Sequence, residues 1–252
     1  MSGQLTIVGL GPGPAGWVTP AANAAVAAAD VMLGYAPYLA RLTPRAGQIF
    51  EASDNREELQ RAVRALELAS QGKRVVMVSG GDPGVFAMAA AVFEAVEKNP
   101  GLANDFDIRV EPGITAMLAA AARIGAPLGH DFCAISLSDN LKPWEVIERR
   151  LRLAAEADFV IALYNPASKA RPNQIRHAFR ILNSARKPET TVIFARAVGR
   201  DDEEIEVTTL KEAPDALCDM RTLVIVGSDA TRSLRGNKGR IWVYTPRSAR
   251  GK

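Results

Sequence analysis

Short apolar runs rich in β-branched residues alternate with longer stretches in which apolar side chains return every three to four positions. The first pattern predicts strands and the second amphipathic helices. QLTIVG, from Gln4, reads as a strand stopped by glycines. TPAANAAVAAAD follows as a helix, with Thr19 at the N-cap and Pro20 at its first position. VMLGY, from Val31, predicts a second strand. A helix is expected from about Asn55 to Gln71, with Leu59, Val63, Leu66 and Ala69 on its buried face and Gly72 at its end. RVVMVS, from Arg74, is a buried strand that runs into GGDPG. VFAMAAAVFEAVEKN, from Val85, predicts a helix, and DIRVE, from Asp107, a strand that runs into PGITA.

A second half begins near Gly125. FCAISLS is a strand, and WEVIERRLRLAAEA is a helix with Trp144, Ile147, Leu151 and Ala154 on one stripe. DFVIALYNP is a strand and PNQIRHAFRILNSA a helix. TVIFARAVG, EIEVTT, TLVIVGS and RIWVYT are strands. Such alternation predicts an α/β fold of two layered domains, residues 1–124 and 125–252. The strand-rich final stretch predicts that the second sheet is mixed. No fixed-period repeat and no low-complexity linker interrupts the chain.

Composition narrows the class. The chain has 252 residues, of which 48% are apolar and 23% charged. That is enough to bury a sizeable core without staples, which excludes disulfide miniproteins and disordered tails. Cys133 and Cys218 are far apart and form no CxxC, so a reducing, cytoplasmic setting fits and a thiolate metal site is not expected. The first 29 residues carry no charge, but they lack a basic start and are broken by Gly9, Gly11, Pro12, Gly13, Pro14 and Gly16. They do not read as a signal peptide. No run of about 18 apolar residues predicts a membrane span.

The net charge of +3 is unevenly placed. Residues 1–126 hold 10 basic and 12 acidic side chains, and residues 127–252 hold 21 and 16. The final stretch carries Arg232, Arg235, Lys238, Arg240, Arg247, Arg250 and Lys252 with no acid. It is either a solvated tail or a site for a polyanion, and the polyanion is either a nucleic acid or a small polycarboxylate. Aromatic residues make up only 6%, and no aromatic cluster accompanies the basic run as a base-stacking surface requires.

Ligands of open α/β sheets gather beyond the carboxyl ends of strands. Three Gly/Pro-rich breaks fall there. VGLGPGPAG, from Val8, has Pro14 where a dinucleotide fingerprint needs its third glycine, and Pro12 and Pro14 lack the N–H groups that cradle a pyrophosphate. It is a tight turn or a loop for another ligand. SGGDPGVF, from Ser79, sets Asp82 before Pro83 in an extended conformation. There the carboxylate either caps the next helix or accepts hydrogen bonds from a ligand hydroxyl or amine. PGITA, from Pro112, offers Thr115 as a helix cap or a ligand contact.

These three loops, in this order and spacing, resemble the tetrapyrrole methylase family of S-adenosylmethionine-dependent enzymes. LGHDFCAISLSDNLKPWEVIERRL, LYNPASKARPNQ and YTPR resemble the family's branch that methylates a precorrin at carbon 17 in cobalamin biosynthesis. The resemblance runs from about Leu5 to Arg247. It implies two α/β domains with a trough between them, an S-adenosyl-L-methionine cofactor, a small-molecule tetrapyrrole substrate and a homodimer. No two of His130, His177, Cys133 and Cys218 form a ligand set, so no metal is expected, and neither nucleic acid nor membrane is expected as a partner. Carried over by position, the cofactor contacts are Pro12, Gly80, Gly81, Asp82, Val85, Thr115, Ala116, Asn165 and Ala197. SDNREELQRA and GGDPGVFAMA resemble the aerobic type, which takes a metal-free precorrin, rather than the anaerobic type, which takes a cobalt-bearing one.

The substrate's carboxylate arms give the positive charge a use, with Lys142, Lys169, Arg171, Arg176 and the basic C-terminal run as candidate partners. The expected contraction of the macrocycle needs proton transfers. His130, Asp139, Glu111 and Tyr164 are candidates, His130 foremost because it can titrate near neutrality. His130 is also readable as a hinge residue bonded to backbone, and the residues single out no catalytic group. His177, between Arg176 and Arg180, reads as solvated. A basic RNA-binding module and a nicotinamide-dependent dehydrogenase are the rival readings.

Overall fold

The computed structural model describes residues 3–54, 57–213 and 218–248. Asn55, Arg250, Lys252 and the side chain of Lys238 therefore lie outside the described residues. The chain divides into two compact units, residues 1–115 and 116–252. The division falls ahead of the boundary expected near Gly125, because helix 116–124 packs on strands of the second unit.

The first unit contains β1 (Gln4–Gly9), α1 (Pro20–Ala28), β2 (Val31–Tyr35), α2 (Ala36–Leu39), β3 (Ile49–Ser53), α3 (Glu58–Ser70), β4 (Arg74–Ser79), α4 (Met88–Lys98) and β5 (Asp107–Glu111). Its sheet runs β3-β2-β4-β1-β5, and all neighbours are parallel. Strands covered on both faces read as continuous apolar runs, which explains LTIV and VVMV. Their side chains alternate between two cores. Leu5, Ile7, Val75 and Met77 pack with α3 and α4, whereas Val8, Val76 and Val78 pack with Ala22 of α1 and Leu39 of α2. Thr19 caps α1 as expected, its Oγ1 accepting from the Ala22 N–H at 3.2 Å.

Several local expectations shift. The buried residues of α3 are Arg61, Ala62, Ala65, Leu66, Leu68 and Ala69, while Leu59 is 39% exposed. Small residues let α3 lie close to Ala89, Val92 and Ala95 of α4. α4 starts at Met88 rather than Val85, because Phe86 has φ 51° and breaks the helical run. The strand β3 and the short helix α2 carry no periodic signal long enough to read.

The second unit contains α5 (Ala116–Ile124), β6 (Gly125–Ala126), β7 (Phe132–Ser136), α6 (Trp144–Glu156), β8 (Val160–Tyr164), α7 (Gln174–Asn183), β9 (Thr191–Arg196), β10 (Glu204–Thr209), β11 (Thr222–Val226), β12 (Arg232–Arg235) and β13 (Ile241–Tyr244). Its main sheet, β10-β9-β11-β8-β7, is mixed as expected: β7 and β8 are parallel, and the other pairs antiparallel. Ile147 and Leu151 of α6 are fully buried against Ile161, Leu163 and Val224, with Trp144 and Ala154 at the margin.

The small sheet β12-β13-β6 corrects the picture of a basic tail. Arg232–Arg235 form a strand paired with Ile241–Tyr244, and the Arg240 guanidinium stacks over the Trp242 ring at 3.7 Å. Among the described residues no helix is long and apolar enough to cross a membrane.

Candidate functional site

In the first unit, β1, β4 and β5 are neighbours in level register, with Val8 beside both Val78 and Glu111. Their carboxyl-end loops therefore emerge side by side, and backbone meets backbone there. Gly11 and Gly81 exchange two hydrogen bonds, at 3.1 and 3.2 Å. A Cβ at Gly9 would stand 2.5 Å from the Gly81 carbonyl oxygen and 2.8 Å from the Gly113 Cα. Three chain segments converge at a spacing that only glycine permits. A Cβ at Gly80 would stand 2.6 Å from the Tyr38 ring, which explains the first glycine of the Gly80–Gly81 pair.

Asp82 locks two of these loops. Its Oδ1 accepts from the Gly84 N–H at 2.8 Å and its Oδ2 from the Gly113 N–H at 3.0 Å. It does not cap α4, whose N-cap is Ala87. An ionised carboxylate has about four acceptor positions, so Asp82 can staple the loops and still face a ligand. Asp82→Ala should cost about 1–3 kcal/mol of stability by leaving those N–H groups unpaired, and Asp82→Asn less. Urea unfolding of both variants checks the order, and equal losses would contradict the staple.

Sequence reasoning missed Arg41. Its guanidinium donates to the carbonyls of Gly11 at 2.8 Å, Leu10 at 2.7 Å and Gly13 at 2.8 Å. One rigid cation thus shapes the turn that carries Pro12. Pro12 and Val85 are half-buried on these loops, while Thr115 is buried at the end of the first unit.

Three expected contacts belong to the second unit: Ala116, Asn165 and Ala197. Ala116 opens α5. Asn165 and Ala197 follow the carboxyl ends of β8 and β9, and both adopt left-handed backbone, at φ 53° and 51°. For non-glycine residues this costs on the order of 1–3 kcal/mol and concentrates at functional sites. Asn165 donates from Nδ2 to the Ser136 Oγ at 3.0 Å, tying the ends of β7 and β8 together.

The proton-transfer candidates separate. Tyr164 accepts at its hydroxyl from the Met117 N–H at 3.1 Å and so holds the first turn of α5. Tyr164→Phe should lower stability by about 0.5–1.5 kcal/mol, read as the urea midpoint; no shift would remove that role. His130 uses Nδ1 to accept from the Asp131 N–H at 2.8 Å, the backbone-bonded reading. Asp139 accepts from the Gln174 Nε2 at 3.2 Å, with the Arg171 Nη1 at 3.8 Å. Glu111 ends β5. His177 is not solvated but half-buried, edge-on to Trp144 with centroids 5.6 Å apart. Cys133 is a thiol outside any disulfide, and burial pushes its pKa up. Among the described residues, no group of three or more His, Cys, Asp or Glu could hold a metal ion.

The sequence matches the family model of tetrapyrrole (corrin/porphyrin) methylases over residues 4–214. A precorrin-3B C(17)-methyltransferase from Sinorhizobium sp is 61% identical over 247 residues, covering 98% of this chain and 97% of the relative. A probable cobalt-factor III C(17)-methyltransferase from Salmonella typhimurium is 42% identical, covering 90% and 94%. A crystal structure of the methyltransferase CobJ superposes with a TM-score of 0.93 at 55% identity, covering 97% of this chain and all of that one.

Proposed function

The chain belongs to the tetrapyrrole (corrin/porphyrin) methylases, and from that premise we propose that it methylates precorrin-3B at carbon 17, with ring contraction to precorrin-4. The observation that carries the reading is the convergence of Gly9, Gly81 and Gly113 at the carboxyl ends of β1, β4 and β5, in a chain 61% identical to a precorrin-3B C(17)-methyltransferase. S-adenosyl-L-methionine supplies an activated methyl group on a sulfonium. The first-unit loops fit such a cofactor: backbone stripped of side chains at Gly80 and Gly81, with the Asp82 carboxylate beside it. Val85, Thr115 and Pro12 would line the same loops. Ala116, Asn165 and Ala197 are the contacts proposed from the second unit.

The protein's own work is positioning. Asp82 and Arg41 hold three loops in one arrangement, and holding reactants in attack geometry can supply roughly 7–11 kcal/mol of barrier reduction. Such placement needs rigid supports, which the Gly11–Gly81 bonds and the Arg41 clamp provide. The same reading carries a homodimer that works in the cytoplasm and takes neither nucleic acid nor metal. A sole species of 27.0 kDa in sedimentation at micromolar concentration would refute the dimer.

The test is incubation with precorrin-3B and methyl-labelled S-adenosylmethionine. One label at carbon 17 is expected. Transfer to cobalt-factor III alone would move the enzyme to the anaerobic route, and transfer to neither would reject the reading.

A further inference from the structure

The loops that follow β7 and β8 hold more positive charge than their own chain uses. These strands are parallel neighbours, so both loops leave the same end of the sheet. Asp139 lies in the first, beside Lys142. Arg171 and Gln174 close the second, where Ser168 and Arg171 pair through two backbone hydrogen bonds of 3.0 Å. Arg171 approaches Asp139 only to 3.8 Å, beyond hydrogen-bond reach, although its side chain is just 15% exposed. Its Nη1 is buried without a hydrogen-bond partner. Lys142 donates to the Ser138 carbonyl at 3.1 Å. Its pKa is lowered, first by burial and then by the like charges of Arg150 and Arg171, against which Asp139 acts alone.

Buried polar atoms without partners are rare and ask for an explanation. An arriving anion would complete the Arg171 nitrogen and relieve the repulsion between Lys142 and Arg171. A planar carboxylate suits a guanidinium better than a spherical ion does. Next to Lys142, Leu141 is 90% exposed, an apolar contact beside the charges. An apolar ring fringed with carboxylates has that combination. We infer that Lys142 and Arg171 form a subsite for one acetate or propionate arm of the tetrapyrrole, bordered by Asp139 and by Gln174, whose amide nitrogen donates to Asp139. This deepens the proposed function and rests on it. The inference also separates these residues from the other basic candidates: Lys169 and Arg176 are exposed, and Arg232 and Arg235 are exposed in β12.

The experiment measures binding of uroporphyrin III and of its octamethyl ester to the full chain, with S-adenosylhomocysteine binding as the control for folding. Wild type should prefer the free acid. Lys142→Gln should weaken acid binding about threefold and Lys142→Gln/Arg171→Gln at least about tenfold, with cofactor-analogue affinity kept within about twofold. Arg171→Lys should recover only part of the loss, because an ammonium cannot bind a carboxylate in the same forked geometry. Unchanged acid binding in the double variant, with the analogue still bound, would overturn the subsite while leaving the tetrapyrrole reading in place. A loss seen instead in Arg232→Gln/Arg235→Gln would overturn it in favour of the hairpin. Wild type that binds neither acid nor ester would reject the tetrapyrrole reading and the subsite together. Should the double variant fail to fold, the partly exposed Lys142→Gln decides alone.

Discussion

Gly113→Ala should reduce S-adenosylhomocysteine affinity by about a hundredfold, roughly 2.7 kcal/mol, and lower thermal stability as well. The added Cβ would stand 2.3 Å from the Gly81 carbonyl oxygen and 2.9 Å from the Gly9 Cα. Both are backbone atoms, so no rotamer change relieves the clash. The Gly81 oxygen also accepts the Gly11 N–H, so displacing it opens the junction between two loops. Overpacking costs about 1–3 kcal/mol where the surroundings yield, and here a loop must yield. Gly16→Ala is the control, because nothing lies within 4 Å of its added Cβ. Titration calorimetry and thermal unfolding of both variants give the answer. Native affinity in Gly113→Ala would mean that the convergence has no part in binding the cofactor.

Arg41→Ala should destabilise the protein by about 2–4 kcal/mol, since hydrogen bonds from charged groups contribute about 1.5–3 kcal/mol each and are not additive. Three carbonyls, of Leu10, Gly11 and Gly13, would lose the guanidinium at once, the Gly11 oxygen keeping only the Gly81 N–H. The turn carrying Pro12 would then sample other shapes, and analogue affinity should fall with stability. Arg41→Lys separates charge from shape. An ammonium keeps the charge but cannot span three acceptors as the planar fork does, so it should recover less than half of the loss. Full recovery by lysine would reduce the clamp to a simple charge effect. Urea midpoints and calorimetric titrations supply both readouts.

The local features were the ones legible from sequence. Thr19 and Pro20 announce α1 because a cap acts within three residues. The three glycine loops stand out because close backbone approach requires residues without side chains. The mixed second sheet follows from strands crowded after Thr191. Arg41 was not legible: it serves carbonyl oxygens about thirty positions away, and a carbonyl acceptor has the same chemistry at every residue. Tyr164 was noticed for its acidity, whereas its visible bond is to the Met117 N–H. Asp82 is legible as a loop residue, but its partner Gly113 lies across the sheet. On α3 the expected Leu66 and Ala69 are buried and Val63 packs beside them, while Leu59 is exposed and Ala62 and Ala65 take part in the buried face. The basic run looked like a free end because its pairing with β13 needs a strand that periodicity over four residues cannot announce.

The strand order of the first sheet also bears on how the protein is made. β1 is translated first yet lies between β4 and β5, with Gln4 beside both Arg74 and Asp107. During synthesis its apolar residues must wait for more than a hundred later ones before both edges are paired. Non-local parallel pairing of this kind is slow and leaves sticky edges exposed meanwhile. The loops at Gly9, Gly81 and Gly113 meet only once β5 has docked. A nascent chain stalled before residue 107 should therefore be protease-sensitive, and a cofactor added during translation can favour only the completed sheet. For the first unit, maturation and ligand competence arrive in the same step.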